Sequence, residues 1–565
     1  MLKKLTKFSA WLILILVIVI GSIFFYVKEH KKEVVTYIVN TISENHNGTV
    51  NFDDVTVRVW GNFTNPAFYV KNMVILDSSE YRTIRFDVEK AYLNLSIKSL
   101  LKENIQVKSV RIENMNYSSI THKEDPAKLI PKIDSIAEEN TVPENFKPYK
   151  MSLDIQNINF DIQNIPRHKR IKFKVNEITS DFLIGPNKIT STLNMDAHVS
   201  ELGFNIQKGS YLKNSDVKGT MYPEIDLMNN KIHIPAFDLS INNQIFKFTA
   251  DFDTSKKISF LFKIENEETT YATTVDLLSD HIQLKLDKYE FTEAISTQTT
   301  LQGSFAPFSN PIVHIKFKSG KNSALINDHF NLDSLTFNGS FTNRIYDDER
   351  AKTEDKRDLK LVFNTLTGNY KKTKFELQNG ILTSTPEEKT HISGVLKATG
   401  SPEDLISFTN KPSFTLKKGS FNLSANIEGD ATSPSDLLLR SKITLDIINT
   451  DIFEIETSRS FPVKQLKVSI REDIAKLEIL KLPLSSSDNI NVYGEVFRFS
   501  SLLTKNPKRS ARTSFRLEAP KLKWEDFLNT FANPNKVPKD KLKDPAQVLH
   551  DLARKIYLKF DPSIT

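Results

Sequence analysis

Residues 158–175 read INFDIQNIPRHKRIKFKV, and within this stretch Ile158, Phe160 and Ile162, then Ile171, Phe173 and Val175, alternate with polar neighbours. A period of two puts those side chains on one face of an extended chain and Asn159, Asp161, Lys172 and Lys174 on the other, which is the pattern of half-buried β-strands. The alternation recurs upstream in Val55, Val57 and Val59, in Ile84, Phe86 and Val88, and in Leu93, Leu95 and Ile97. It returns downstream in Leu193, Met195, Ala197 and Val199, in Ile258, Phe260, Phe262 and Ile264, in Val313, Ile315 and Phe317, and in Phe421, Leu423, Ala425 and Ile427. Asn229-Asn230, Asn242-Asn243 and Asn338-Gly339 punctuate such runs as turns, so the pattern predicts antiparallel meanders. Parallel pairing is not expected, because it needs crossover helices and none is legible between the runs.

The composition agrees. Phe is frequent (38) while Gly (17), Trp (3) and Met (7) are sparse, and 39% of residues are hydrophobic against 26% charged, which describes a folded, largely water-facing chain. At 565 residues it exceeds one ordinary core and must form several domains or one elongated architecture. The net charge of +7 comes from 76 basic and 69 acidic residues without long single-sign blocks, so no nucleic-acid partner is expected. The absence of Cys excludes disulfides, thiolate metal sites and a cysteine nucleophile.

One block departs from this pattern. Residues 9–27 read SAWLILILVIVIGSIFFYV, uncharged and about 28 Å long as a helix, against a bilayer core of about 30 Å. Trp11 and Tyr26 sit near its ends as interfacial anchors, and Phe24, Phe25 and Tyr26 occupy positions where a cleaved signal peptide needs small residues. The expected order is a short tail (1–8), which the resemblance drawn below makes cytoplasmic, a transmembrane helix (9–27) and a helical stalk (28–48), in which Val34, Val35, Ile38, Val39 and Ile42 recur at helical spacing before Asn47-Gly48. N-terminal strands fill 49–122, a helical, Pro-containing insertion follows at 123–150, and a repeating β-region spans 151–532. Residues 533–565 read as a linker, a short helix and the start of a further strand. Gly303-Ser304-Phe305, Gly339-Ser340-Phe341 and Gly419-Ser420-Phe421 form a faint echo of repetition, which chance in a Ser- and Phe-rich chain matches almost as well.

The fold class expected is therefore mainly β, an N-terminal transmembrane helix followed by a long antiparallel sheet with one apolar face. Such a face must be hidden from water, each Å² being worth about 25 cal/mol. A long, twisted sheet can form an elongated apolar groove that acyl chains occupy, or sheets can pair as a β-sandwich array. Alternation is the same in both. Phe160, Phe173, Phe204, Phe260 and Phe262 are candidate groove-lining residues, and equally core residues of a sandwich.

The N-terminal region resembles the AsmA family of bacterial envelope proteins. The likeness rests on the anchor, on Gly48-Thr49-Val50-Asn51-Phe52-Asp53-Asp54-Val55-Thr56-Val57, on Trp60 and Asn65-Pro66, and on the run from Phe68 to Asp77. It continues through Leu95-Ser96-Ile97-Lys98-Ser99-Leu100-Leu101 and the run from Ile105 to Asn114, and beyond residue 120 it is one of style. The resemblance implies a single-pass bacterial inner-membrane protein with its N-terminus cytoplasmic and its main domain periplasmic. It further implies a role in outer-membrane biogenesis, phospholipids as partners, and outer-membrane assembly proteins as further partners.

No catalytic motif accompanies it. The eleven His residues are dispersed, with no H-E-x-x-H, G-x-S-x-G, P-loop or G-x-G-x-x-G. His198, His233 and His314 fall within strand patterns, and Asp53-Asp54 and Asp251-x-Asp253 read as turn or solvent-face pairs in preference to acid/base pairs. No catalytic residue, metal or cofactor is expected, and the functional expectation is non-enzymatic: phospholipid binding or conduction, with an anchored scaffold for outer-membrane proteins as the alternative.

Overall fold

A computed structural model describes residues 49–58, 67–95, 107–123, 146–255, 259–304, 311–327, 329–344, 359–384, 390–406, 414–455, 459–483, 489–502 and 511–519. The expected tail, membrane segment and stalk, most of the 123–150 insertion and the 533–565 segment lie outside the described residues. Among the described residues no helix is long and apolar enough to cross a membrane.

The fold is mainly β, with 74% of the described residues in strands, and the chain divides into two compact units. One comprises Met1–Asp287 with Gln298–Pro311, the other Lys288–Thr297 with Ile312–Thr565, so the β-region expected to run on from 151 to 532 is divided.

The first unit opens with β1 (Thr49–Asn51), β2 (Asp54–Arg58), β3 (Ala67–Ser78), β4 (Arg82–Leu95) and β5 (Val107–Thr121). It continues with β6 (Tyr149–Asn164), β7 (Lys169–Ile184), β8 (Lys188–Gly203), β9 (Ser215–Met221) and β10 (Glu224–Asp226). β11 (Lys231–Ile241), β12 (Gln244–Asp253) and β13 (Ser259–Asn266) follow. β1 and β2 both pair with β3; from there each strand adds to the next through β8, β8 holds β9 and β10, and both lead to β11, β12 and β13. β14 (Tyr289–Phe291) belongs to the second unit, and most of β15 (Ser296–Ser304) to the first, where it pairs with β13.

The second unit continues with β16 (Ile312–Ile326), β17 (Phe330–Thr342), β18 (Leu359–Tyr370), β19 (Thr373–Ser384), β20 (Thr390–Gly400) and β21 (Phe414–Lys417). β22 (Ser420–Asp430), β23 (Lys442–Glu454), β24 (Arg459–Arg471), β25 (Ile474–Pro483), β26 (Asn489–Phe497) and β27 (Arg512–Glu518) complete it. β14 pairs with β16, β21 with β23, and the rest form an antiparallel meander in chain order. Each unit's described strands thus form one hydrogen-bonded series.

Strict alternation alone does not build these strands. In β3, β5 and β6 the apolar face advances by three residues once, from Val70 to Met73, from Ile112 to Met115 and from Ile155 to Ile158. The residue before each second member is an Asn in the left-handed region, with φ of 50° at Asn72, 55° at Asn114 and 59° at Asn157. A left-handed residue rotates the chain so that the apolar series resumes on its own face, and Asn tolerates that conformation better than most residues do. The steps line up across the sheet, because Val70 opposes Ala91, Ala91 opposes Ile112, Ile112 opposes Ile155 and Ile155 opposes Ile178. On the opposite face Asn114 Nδ2 donates to Glu89 at 2.6 Å and Asn157 Nδ2 donates to Asn114 Oδ1 at 2.7 Å. The second unit repeats the device with Ser334 (φ 52°), Asn379 (φ 48°) and Asn449 (φ 56°).

Several expectations are corrected. β5 and β6 are parallel, in register from Ser109↔Ser152 to Thr121↔Asn164, and the chain between Thr121 and Tyr149 is long enough for the crossover that parallel pairing needs. Asn338-Gly339 is no turn but lies inside β17, where Gly339 faces Phe317. The three Gly-Ser-Phe tripeptides are not equivalent: Gly303 is near the end of β15, Gly339 is inside β17, and Gly419 (φ 79°) precedes β22. Ile84–Val88 and Leu93–Leu95 belong to one strand, β4. Among the described residues, four short helices had no periodic signal, since α1 (Tyr271–Asp276), α2 (Asp280–Leu286), α3 (Pro402–Ile406) and α4 (Pro434–Arg440) each make two turns or fewer. Local caps hold two of them: the Thr270 and Ser433 side chains accept from the amides of Thr273 and Asp436.

Asn157→Val is expected to destabilise the protein by about 1–2 kcal/mol from the left-handed backbone alone, beyond the lost bond to Asn114, whereas Asn157→Gly loses only that bond. Denaturant titration of both variants checks this: equal midpoints would show that the backbone conformation contributes nothing.

Candidate functional site

The largest continuous feature of the first unit is its apolar face. Val88, Met115, Ile158, Val175, Ala197 and Val217 oppose one another in register from β4 to β9 and form a buried row. Beside it Phe86, Tyr117, Phe160 and Phe173 form a second row on β4 to β7, with successive ring centroids 4.7, 5.6 and 4.5 Å apart. These four rings are only half-buried. The described members of the cluster around Val88 come from neighbouring strands, with the aromatic row packed beside the buried row together with Ala91, Ile112, Ile155 and Ile178, while the rings themselves stay partly exposed.

A second aromatic group lies on β11 to β13. Phe260 and Phe262 stack with centroids 4.7 Å apart, and Phe262 meets Phe248 at 5.6 Å and Phe252 at 5.5 Å. In the second unit Phe317, Phe337 and Phe363 form a triangle with centroids 5.5 to 6.2 Å apart. Phe317 opposes Gly339, Phe375 opposes Gly368 and Phe515 opposes Gly494, each ring covering a residue with no side chain. A Cβ on Gly339 would collide with the Val362 carbonyl and lie 2.6 Å from the Phe317 ring, which accounts for a glycine inside a strand.

Of the five residues named from sequence, Phe160 and Phe173 are brought together as a stacked pair, and Phe260 and Phe262 as another. Phe204 is not on this face. It lies just beyond the end of β8, 55% exposed, with its ring 5.9 Å from that of Tyr211. Phe86, Tyr117 and Phe248 complete the rows and were missed, although Phe86 lies in a run whose alternation was already evident.

The reverse face is charged and internally paired. In the first unit Arg170 bonds Asp161 at 3.0 Å and Lys218 bonds Asp196 at 2.9 Å; the second unit has its own pair, Lys467 with Glu478 at 2.9 Å. His198 meets Asp216 at 2.7 Å and His233 meets Asp251 at 2.6 Å, both exposed cross-strand pairs. Asp253 accepts from Ser255, Asp53 from Asn72 and Asp54 from Thr56, so the acidic doublets serve turns and solvent-facing contacts. A depression of about 710 Å³ on this face is lined by Thr179, Asn194, Lys218, Thr220 and Tyr222 among others. Within its lining Asn194 accepts from Thr220 at 2.7 Å, and Asp196 accepts from the neighbouring Asn176 at 2.8 Å. Among the described residues no group of three or more His, Asp and Glu is placed to hold a metal ion.

No protein-family model matches this chain, and no curated protein matches it.

Two carboxylates of the charged face, Asp196 and Asp161, titrate low. Hydrogen bonds from Asn176 and then Lys218 hold Asp196 below the ordinary range, while burial raises Asp161 but is outweighed by the bonds from Arg170 and Gln163. A depressed carboxylate contributes stability that is present above its unfolded value of about 4 and lost as pH falls through the folded one. Asp196→Asn is therefore expected to be less stable than the wild type at pH 7, with the gap closing below about pH 4. Thermal midpoints taken down a pH series check this; a gap independent of pH would mean that the charge of Asp196 is not what stabilises the fold.

Proposed function

We propose that this chain is a membrane-anchored, AsmA-like protein of the bacterial envelope that binds or conducts phospholipids along its apolar sheet face. It acts without catalysis, with its N-terminus cytoplasmic, its anchor in the inner membrane and its β-units in the periplasm. The observation that carries the reading is the half-buried aromatic row on β4 to β7, backed by small buried side chains and opposed by a paired, charged reverse face. Rings held open at one side leave apolar area in water, and acyl chains laid along them would recover about 25 cal/mol per Å² covered. Such contact is non-directional and suits chains of varied length and unsaturation. The long apolar stretch at 9–27 and the resemblance of the opening strands to the AsmA family supply the setting.

The competing reading is an anchored scaffold for outer-membrane proteins, whose apolar faces are covered by protein alone. The two differ in what touches Phe173. With a photoreactive benzoylphenylalanine at Phe173, and separately at Phe260, irradiation of cells fed labelled phosphate is expected to give a phospholipid adduct on the full chain. The same probe at Lys172, on the reverse face, is expected to give none. Adducts at neither Phe position, or equally at Lys172, would remove lipid from the apolar face and favour the scaffold.

A further inference from the structure

Two neighbouring hairpin tips in the first unit carry exposed apolar side chains. Ile165 is 53% exposed between β6 and β7, and Phe204 and Ile206, beyond β8, are 55% and 43% exposed. The tips are joined directly, the Ile206 amide donating to the His168 carbonyl at 2.7 Å, and the Ile165 amide donates to the Thr121 carbonyl at 3.1 Å. Arg167, Lys169 and Lys208 lie on the same two tips, and residues 165–169 and 203–209 include no acidic residue, the nearest on the second tip being Asp280 of α2, which packs against Gly209 and faces Lys213 at 3.9 Å. Apolar side chains among cations are the composition of a surface that settles into anionic lipid headgroups.

The register shows which end of the unit this is. Thr49, where the described chain begins, opposes Leu76 near the end of β3; β4 starts and β5, β6 and β8 finish at that same end. The chain therefore enters from residues 1–48 at the end that carries the tips, about five strand spacings, or about 24 Å, away from them across the sheet. The opposite end of the unit carries charges of both signs: Leu227 and Met228 are exposed there too, but beside Asp226 and Glu224, with Lys188 bonded to Glu224 at 2.7 Å and Lys231 opposite Asp226.

The geometry points to these tips as a membrane-seating surface, with Ile165, Phe204 and Ile206 entering the outer part of an anionic phospholipid bilayer and Arg167, Lys169 and Lys208 meeting its headgroups. This rests on the anchor at 9–27 and not on lipid occupying the apolar face. The seat would set the sheet's end against the leaflet that the anchor leaves.

The chain has no Cys, so single labels are clean. Full-length Phe204→Cys, Ile206→Cys and Met228→Cys, each carrying a nitrobenzoxadiazole label, are reconstituted into phosphatidylethanolamine–phosphatidylglycerol vesicles containing a lipid spin-labelled near the top of its acyl chain. The labels at 204 and 206 are expected to be quenched several-fold more than the label at 228, consistent with burial about 5–10 Å into the interface. Adding Arg167→Glu, Lys169→Glu and Lys208→Glu is expected to reduce the quenching at 204, each cation being worth about fivefold in partition at an anionic surface. Equal quenching at 204, 206 and 228, quenching indifferent to charge reversal, or release of the chain by alkaline carbonate would each overturn the proposal. Quenching without photo-adducts at Phe173 would leave this seat standing while removing lipid from the sheet face; adducts without quenching would do the reverse.

Discussion

The constraint on which the rest depends is that an apolar side chain must meet an apolar side chain on every neighbouring strand. In a sheet, a shift of one residue sends a whole series to the wrong face, so strands as long as the 16-residue β6 and β7 hold their register only if alternation is kept or deliberately reset. Here it is reset. Asn72, Asn114 and Asn157 take left-handed backbone, and in β4 and β7 the face also advances by three residues, from Val88 to Ala91 and from Val175 to Ile178. Because the resets sit opposite one another, no strand loses its partner's side chains, and the Glu89–Asn114–Asn157 hydrogen bonds tie the resets together on the reverse face. Residues that would be outliers in isolation become part of the ladder.

Much of this was legible in the sequence. Alternation marked the strands, and Asn229-Asn230 and Asn242-Asn243 marked turns whose positive φ the structure bears out at Asn230, Asn242 and Asn243. What escaped were the resets, which made one strand read as two at Ile84–Leu95. The signal is nonetheless present as a short phrase: Val70-Lys71-Asn72-Met73, Ile112-Glu113-Asn114-Met115 and Ile155-Gln156-Asn157-Ile158 each set two face residues three apart with Asn just before the second. Leu377-Gln378-Asn379-Gly380 and Ile447-Ile448-Asn449-Thr450 repeat it in the second unit. A lone Asn in an apolar run reads as a turn, whereas the same Asn at this offset marks a strand that carries on. Asn338, which lacks the offset, was misread for the complementary reason: Asn-Gly is a strong hairpin signal, but Gly339 is there to make room for Phe317.

The site was legible only in outline. Alternation names the face a side chain points to, but how open that face is depends on what lies above it, and that is a property of strand pairing over hundreds of residues. Phe160, Phe173, Phe260 and Phe262 could be named because they sit in clean alternation; Phe204 could not be placed, because beyond Gly203 the chain leaves the strand and period two no longer applies. The parallel β5–β6 pair escaped for a similar reason. A crossover helix is one way to join parallel strands, but the requirement is length, and the segment between Thr121 and Tyr149 supplies it.

The division of labour between the two faces bears on selectivity. Phe and aliphatic side chains attract apolar matter without direction, so a face built from them discriminates weakly between one acyl chain and another. The charged reverse face carries cross-strand ion pairs, as Arg170 with Asp161 and Lys218 with Asp196 illustrate. On the proposed reading, discrimination among lipids therefore belongs to the strand ends, where the apolar rows meet cations such as Arg167 and Lys169 and a headgroup must pass before its chains can lie down. A sheet that is permissive along its length and selective only at its end is what non-directional packing allows, and it places the chemically informative residues at hairpin tips instead of in the alternating strands.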